Sequence, residues 1–88
     1  MKMMCVETGR VTKIEKENDY YSWHDQIERA ATRLIRREPE FARYNHFASP
    51  AFDEFGCTIG DEIDAEIWRP CGGLTEHTGD IRTFRLVD

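Results

Sequence analysis

Gly60-Asp61-Glu62-Ile63-Asp64-Ala65-Glu66-Ile67-Trp68 is the stretch on which the fold turns. After the turn residues Gly60-Asp61, the apolar Ile63, Ala65 and Ile67 alternate with Glu62, Asp64, Glu66 and Trp68. A period of two belongs to a strand with one face in a core and the other in water. The pattern predicts a half-buried strand over 62–68, with the three carboxylates in one row on its solvent face.

A sheet with one apolar face needs a cover, and the sequence supplies one upstream. Ser22 is a good N-cap, with Asp25 three residues later in a capping-box-like start. From Trp23 the apolar positions run Trp23, Ile27, Ala30, Ala31, Leu34 and Ile35, on one face at helical spacing. This predicts a helix over 23–37 that stops before Pro39, with Trp23, Ile27, Ala31 and Leu34 buried. Pro39 can open a second short helix over 39–46, and Ser49-Pro50 repeats that signature for one helical turn over 50–55 before Gly56. Phe52 and Phe55 would pin that turn to the core.

Towards the N-terminus, Val6, Thr8, Val11, Thr12 and Ile14 flank Gly9-Arg10 and read as two short strands around a turn, or one bent strand. Glu17-Asn18-Asp19 breaks the pattern. Towards the C-terminus, 69–80 reads as a long turn-rich loop with Pro70, Gly72, Gly73 and Gly79. Ile81–Val87 is a final strand, with Phe84 and Leu86 facing one way and Thr83 and Arg85 the other. Strands, helices, strands in that order predict an α+β class: a small antiparallel sheet, in part rolled towards a barrel, carrying one main amphipathic helix and one or two short helices.

The 88 residues leave room for a single domain over 1–88. Forty per cent hydrophobic residues, with five Phe, three Tyr and two Trp, suffice for a core although 33% of residues are charged. A core this small has little to spare for an enzyme pocket of several hundred cubic ångströms, which favours a binding module. The apolar start Met1–Val6 is too short for a signal peptide or a membrane span, and an odd set of three cysteines without close pairs suits a reducing compartment. The expected location is cytoplasmic.

The net charge of −5 is unevenly placed. Residues 1–18 hold four basic and three acidic groups, and residues 19–48 hold five of each. Residues 49–88 hold three arginines against nine acids. Asp53, Glu54, Asp61, Glu62, Asp64 and Glu66 follow one another without a Lys or Arg. Alternate strand residues lie roughly 6.5–7 Å apart, a pitch similar to that of phosphates along a nucleic-acid strand. Such a row could occupy a basic groove built for a phosphate backbone. It could also be an ordinary solvated face, with charges that resist edge-to-edge aggregation and with Arg82 and Arg85 as neutralising neighbours. Trp68 shares that face and would be either its exposed anchor or a side chain covered by the 69–79 loop.

The helix carries the opposite feature. Arg29, Arg33, Arg36 and Arg37 lie within a ~100° arc roughly opposite the apolar face. Guanidinium groups suit recognition of phosphate or carboxylate, although a solvated face supported by Asp25–Arg29 and Arg36–Glu40 pairs is the simpler account. A nucleic-acid binder usually has a basic net balance, and this chain does not.

Chemistry finds little purchase. Cys5, Cys57, Cys71, His24, His46 and His77 could ligate a metal, but zinc sites normally show two cysteines separated by two to four residues, and no such pair exists. His24 and Asp25 are helix neighbours that point about 100° apart, so they form no dyad. Gly72-Gly73 lacks the Lys-Ser/Thr of a phosphate loop. The row's carboxylates diverge into solvent, whereas a glycosidase pair converges on a cleft. No catalytic residue, metal or cofactor is therefore expected.

The leading expectation is a non-catalytic protein that docks Asp61, Glu62, Asp64, Glu66 and Trp68 on a basic surface of a protein partner, with no membrane involved. One version of it is an inhibitor that blocks a nucleic-acid-binding groove, as small phage-encoded antagonists of host systems can do. The first alternative is an accessory module whose Arg29, Arg33, Arg36 and Arg37 hold nucleic acid or an acidic partner. The second is a small zinc-binding regulator.

Overall fold

The computed structural model describes residues 1–14, 22–53 and 57–88. The Glu17–Asp19 break, Glu54 and Phe55 lie outside them. Five strands form one antiparallel sheet: β1 (Lys2–Cys5), β2 (Val11–Lys13), β3 (Phe47–Ala51), β4 (Glu62–Cys71) and β5 (Leu74–Val87), in the order β2-β1-β5-β4-β3. One helix, α1 (Trp23–Ile35), packs against β3, β1 and β2. The class is α+β as expected.

The helix begins where the capping residue dictates: the Asp25 amide donates to Ser22 Oγ at 3.2 Å. It ends two residues before the expected stop, because the Arg37 and Glu38 amides turn to the carbonyls of Leu34 and Ile35 in a tighter last turn. Ile27, Ala30, Ala31, Leu34 and Ile35 are fully buried against Met3, Cys5, Ile63, Ala65, Ile67, Phe84 and Leu86 from one sheet face. Trp23, expected in the core, is half-buried and packs against the core's margin.

Three other expectations are corrected. The second helix shrinks to a single 3-10 turn at Pro39–Phe41, since Tyr44 and Asn45 adopt positive φ and reverse the chain into β3. The helical turn expected from Pro50 is strand. The Ala48 amide points outwards, so by parity does the backbone nitrogen of Pro50, where a residue without an N–H costs no ladder bond. Phe52 still packs on the core margin.

The expected 69–80 loop is the far half of a β-hairpin. Gly72 and Gly73 have φ of 56° and 85°, the double positive φ of a two-residue turn that matches strand twist. The Gly-Gly signal was present in the sequence. It was masked by Pro70, which suits an exposed hairpin arm, and by Gly79. Gly79 sits at φ 89° where Ile81 faces Glu66 but His77 faces Trp68, so β5 carries a bulge at 78–80.

The sheet is open, with β2 and β3 at its edges. Both edges are reached from the C-terminal end of α1 and the two residues that follow it. Arg33 donates to the Lys13 carbonyl at 2.6 Å and Arg37 to that of Val11 at 3.2 Å, both on β2. Thr32 Oγ1 accepts the Ala48 amide of β3 at 3.1 Å, and Arg36 donates to the His46 carbonyl just before it at 2.8 Å. The helix end thus ties both edges of an open sheet, and the expected rolling does not close into a barrel. The Val11 and Lys13 carbonyls of β2 and the Ala48 amide of β3, which would otherwise invite a further strand, are thereby occupied.

Candidate binding surface

With α1 on one face, the other face of β4 and β5 has no covering element among the described residues. Strand parity sets Glu62, Asp64 and Glu66 outwards as expected, all three exposed. The cross-strand neighbours then differentiate them. Arg85 donates to Glu62 Oε2 from Nη2 at 2.5 Å and from Nε at 3.1 Å. Thr83 Oγ1 donates to Asp64 Oδ1 at 2.8 Å. Glu66 Oε2 lies 3.6 Å from His77 Nε2. Only Glu62 is matched by a permanent cation, so the row keeps its negative sign at Asp64 and Glu66.

Those two carboxylates border a recess of about 310 Å³ with Ser49, Ala51 and Ile81. The recess exists because β3 places only Ser49 and Ala51 opposite Glu66 and Asp64. Ile81, directly across from Glu66, leaves an apolar side chain 53% exposed. Trp68 is half-buried, covered by its partner His77, whose ring meets the indole edge-on at 5.1 Å. The site thus joins two uncompensated acids, one exposed aliphatic side chain and one aromatic ring.

Asp61 does not belong to this surface. Its Oδ2 accepts the Thr58 amide at 2.7 Å and the Thr58 hydroxyl at 3.2 Å, closing the turn that leads into β4. Arg82, weighed as a neutraliser of the row, faces the core side with Phe84 and Leu86. There its Nη2 lies 3.0 Å from Glu38 Oε1 and 3.1 Å from Glu40 Oε1, with its guanidinium 5.0 Å from the Phe41 ring centroid. Its pKa is raised by the hydrogen bonds to Glu38, against a smaller opposing effect of burial. Parity with Phe84 could have revealed this inward position, but Glu38 is too distant in sequence for any local signal.

Among the four arginines of the expected stripe, Arg33 in α1 and Arg36 and Arg37 just beyond its end each spend a guanidinium donor on a backbone carbonyl. Arg29 borders a second recess with Glu28, Thr32 and Phe47. The stripe therefore has a structural task in holding the sheet edges.

The sequence candidates for metal ligation are scattered. Cys5 is buried, Cys57 half-buried and Cys71 exposed at the hairpin turn. His46 is buried, with Nδ1 2.5 Å from the Arg43 carbonyl oxygen. Among the described residues, the group whose ligand atoms converge is His24, Asp25 and Glu28, within 4.8 Å of one another at the start of α1. His24 lies 3.8 Å from Glu28 as an i,i+4 pair and stacks on Phe52 at 5.1 Å, which accounts for the cluster as surface pairing on a helix.

The thiols should differ sharply in reactivity. Burial, followed by the Asp61 carboxylate, raises the Cys57 pKa, which suppresses its thiolate at neutral pH. Alkylation of the native protein followed by mass spectrometry should modify Cys71 first, Cys57 slowly and Cys5 only on unfolding. Early labelling of Cys5 would contradict its place in the core.

No helix among the described residues is long and apolar enough to cross a membrane. Comparison with protein-family models, curated proteins and solved structures found no match to this chain.

Proposed function

We propose that this is a non-catalytic binding protein whose outward β4–β5 face docks on a basic surface of a protein partner. The observation that carries this reading is the recess between Asp64 and Glu66, acidic at its rim and lined by the exposed Ile81. A surface that only needed solubility would scatter its charges. This one sets two uncompensated carboxylates beside an apolar side chain and a half-covered indole, the mixture of charge and buried anchor that interfaces use. The partly capped edges of β2 and β3 favour the sheet face over strand addition as the mode of contact. The row's pitch suits a groove that ordinarily holds a phosphate backbone, and the protein would act as its antagonist.

Capture from a lysate of the source cell, with and without competing duplex DNA, tests this reading. A basic protein should be retained, released by moderate salt and displaced by the DNA. Retention of nucleic acid itself by the isolated chain would overturn it.

A further inference from the structure

We infer that His77 is a pH-sensitive clasp that sets the shape and charge of this same surface. Its ring is held on one side and has a carboxylate neighbour on the other. Nδ1 accepts the Gly79 amide at 2.8 Å, and Nε2 faces Glu66 Oε2 at 3.6 Å. The neutral ring can accept from Gly79 only as the tautomer with its proton on Nε2, which then points towards Glu66. An imidazolium carries protons on both nitrogens, so it pairs fully with Glu66 but can no longer accept from Gly79.

The bond that breaks lies at the centre of the bulge. Gly79 is at φ 89°, and the flanking contacts run from Thr78 Oγ1 to the Ile67 carbonyl at 2.9 Å and from the Asp80 amide to Thr78 Oγ1 at 3.2 Å. Across the strand pair the imidazole meets Trp68 and Glu66. The Arg69–Glu76 pair occupies the next row on the opposite sheet face, and Asp80 follows beyond the bulge. Protonation therefore has two consequences at one place: it cancels the Glu66 charge, and it frees the Gly79 amide that anchors the bulge. Both weaken the docking surface, so partner affinity falls as the ring protonates. This consequence rests on the docking reading, but the clasp itself does not.

NMR of the free protein between about pH 8 and pH 5.5 tests the clasp. At the upper pH the His77 nitrogen shifts should report an unprotonated Nδ1. As the ring titrates, the Gly79 amide resonance should move with the same midpoint. Its hydrogen exchange, corrected for intrinsic pH dependence, should rise about fivefold, the loss of one hydrogen bond of ordinary strength. In His77→Asn, which keeps an acceptor but does not titrate, the Gly79 amide should stay still over this range. A Gly79 amide that ignores the His77 titration, or a proton on Nδ1 at the upper pH, overturns the clasp and leaves the docking reading standing. Loss of partner binding at every pH would instead strike the docking reading alone.

Discussion

Arg82→Ala should cost about 3–5 kcal/mol in denaturant unfolding, the effect of leaving one member of a buried ion pair without the other. Glu38 has only 9% of its side chain accessible and Arg82 only 16%, so the pair is largely shielded from water. Both Glu38 oxygens accept from Arg82, at 3.2 Å from Nε and 3.0 Å from Nη2, and the Phe41 ring lies alongside. For a chain of this length, total stability is on the order of 4–13 kcal/mol, so a large share would go. Because the Arg82 pKa is raised, the pair's contribution is fully present below the guanidinium's ordinary value. It is lost only as pH climbs through the raised one, so Arg82 itself adds no pH dependence near neutrality. Removing both charges, as Arg82→Met with Glu38→Leu, should restore much of the loss. A single substitution costing under about 1 kcal/mol would mean the pair is not closed in solution.

Leu34→Ala should cost about 2–5 kcal/mol, by a different mechanism. Leu34 is fully buried on the face of α1 that meets the sheet, and its truncation leaves a cavity that a 13-residue helix tied at both sheet edges cannot easily collapse to fill. Leu34→Met, which roughly conserves volume, should cost less than about 1.5 kcal/mol. Equal effects of the two variants would show that the side chain is not packed as described.

The two regular periods were legible. Alternation over 62–68 and the 3.6-residue repeat from Trp23 placed β4, α1 and most of the core, since both patterns follow directly from which face must leave water. What failed was local. Ser49-Pro50 mimics a helix start, but tertiary pairing with β4 overrides it, and Pro50 fits because its nitrogen faces away from the ladder. The hairpin arm was hidden by glycines that mark a turn and a bulge within strands as readily as they mark a loop. Of the expected contact residues, Glu62, Asp64, Glu66 and Trp68 share the uncovered face, and Asp61 is drawn off into a turn with Thr58. Ile81 and His77 were missed because their roles depend on register. The bulge sets His77 against Trp68, and no reading of β5 alone supplies that pairing.

The most direct test of the docking face compares two charge-neutralised variants against the captured partner. One is the triple change Glu62→Gln, Asp64→Asn, Glu66→Gln; the other is Arg29→Gln, Arg33→Gln, Arg36→Gln. The carboxylates are exposed, so their amides should leave the fold intact by circular dichroism. Steering charges act mainly on association, so the triple carboxylate variant should bind about 10–100-fold more slowly at low salt and lose most of the wild-type salt dependence. The arginine variant, once its folded fraction is measured, should associate at close to the wild-type rate. Association abolished by the arginine changes and untouched by the carboxylate changes would contradict the docking face and transfer the function to the helix.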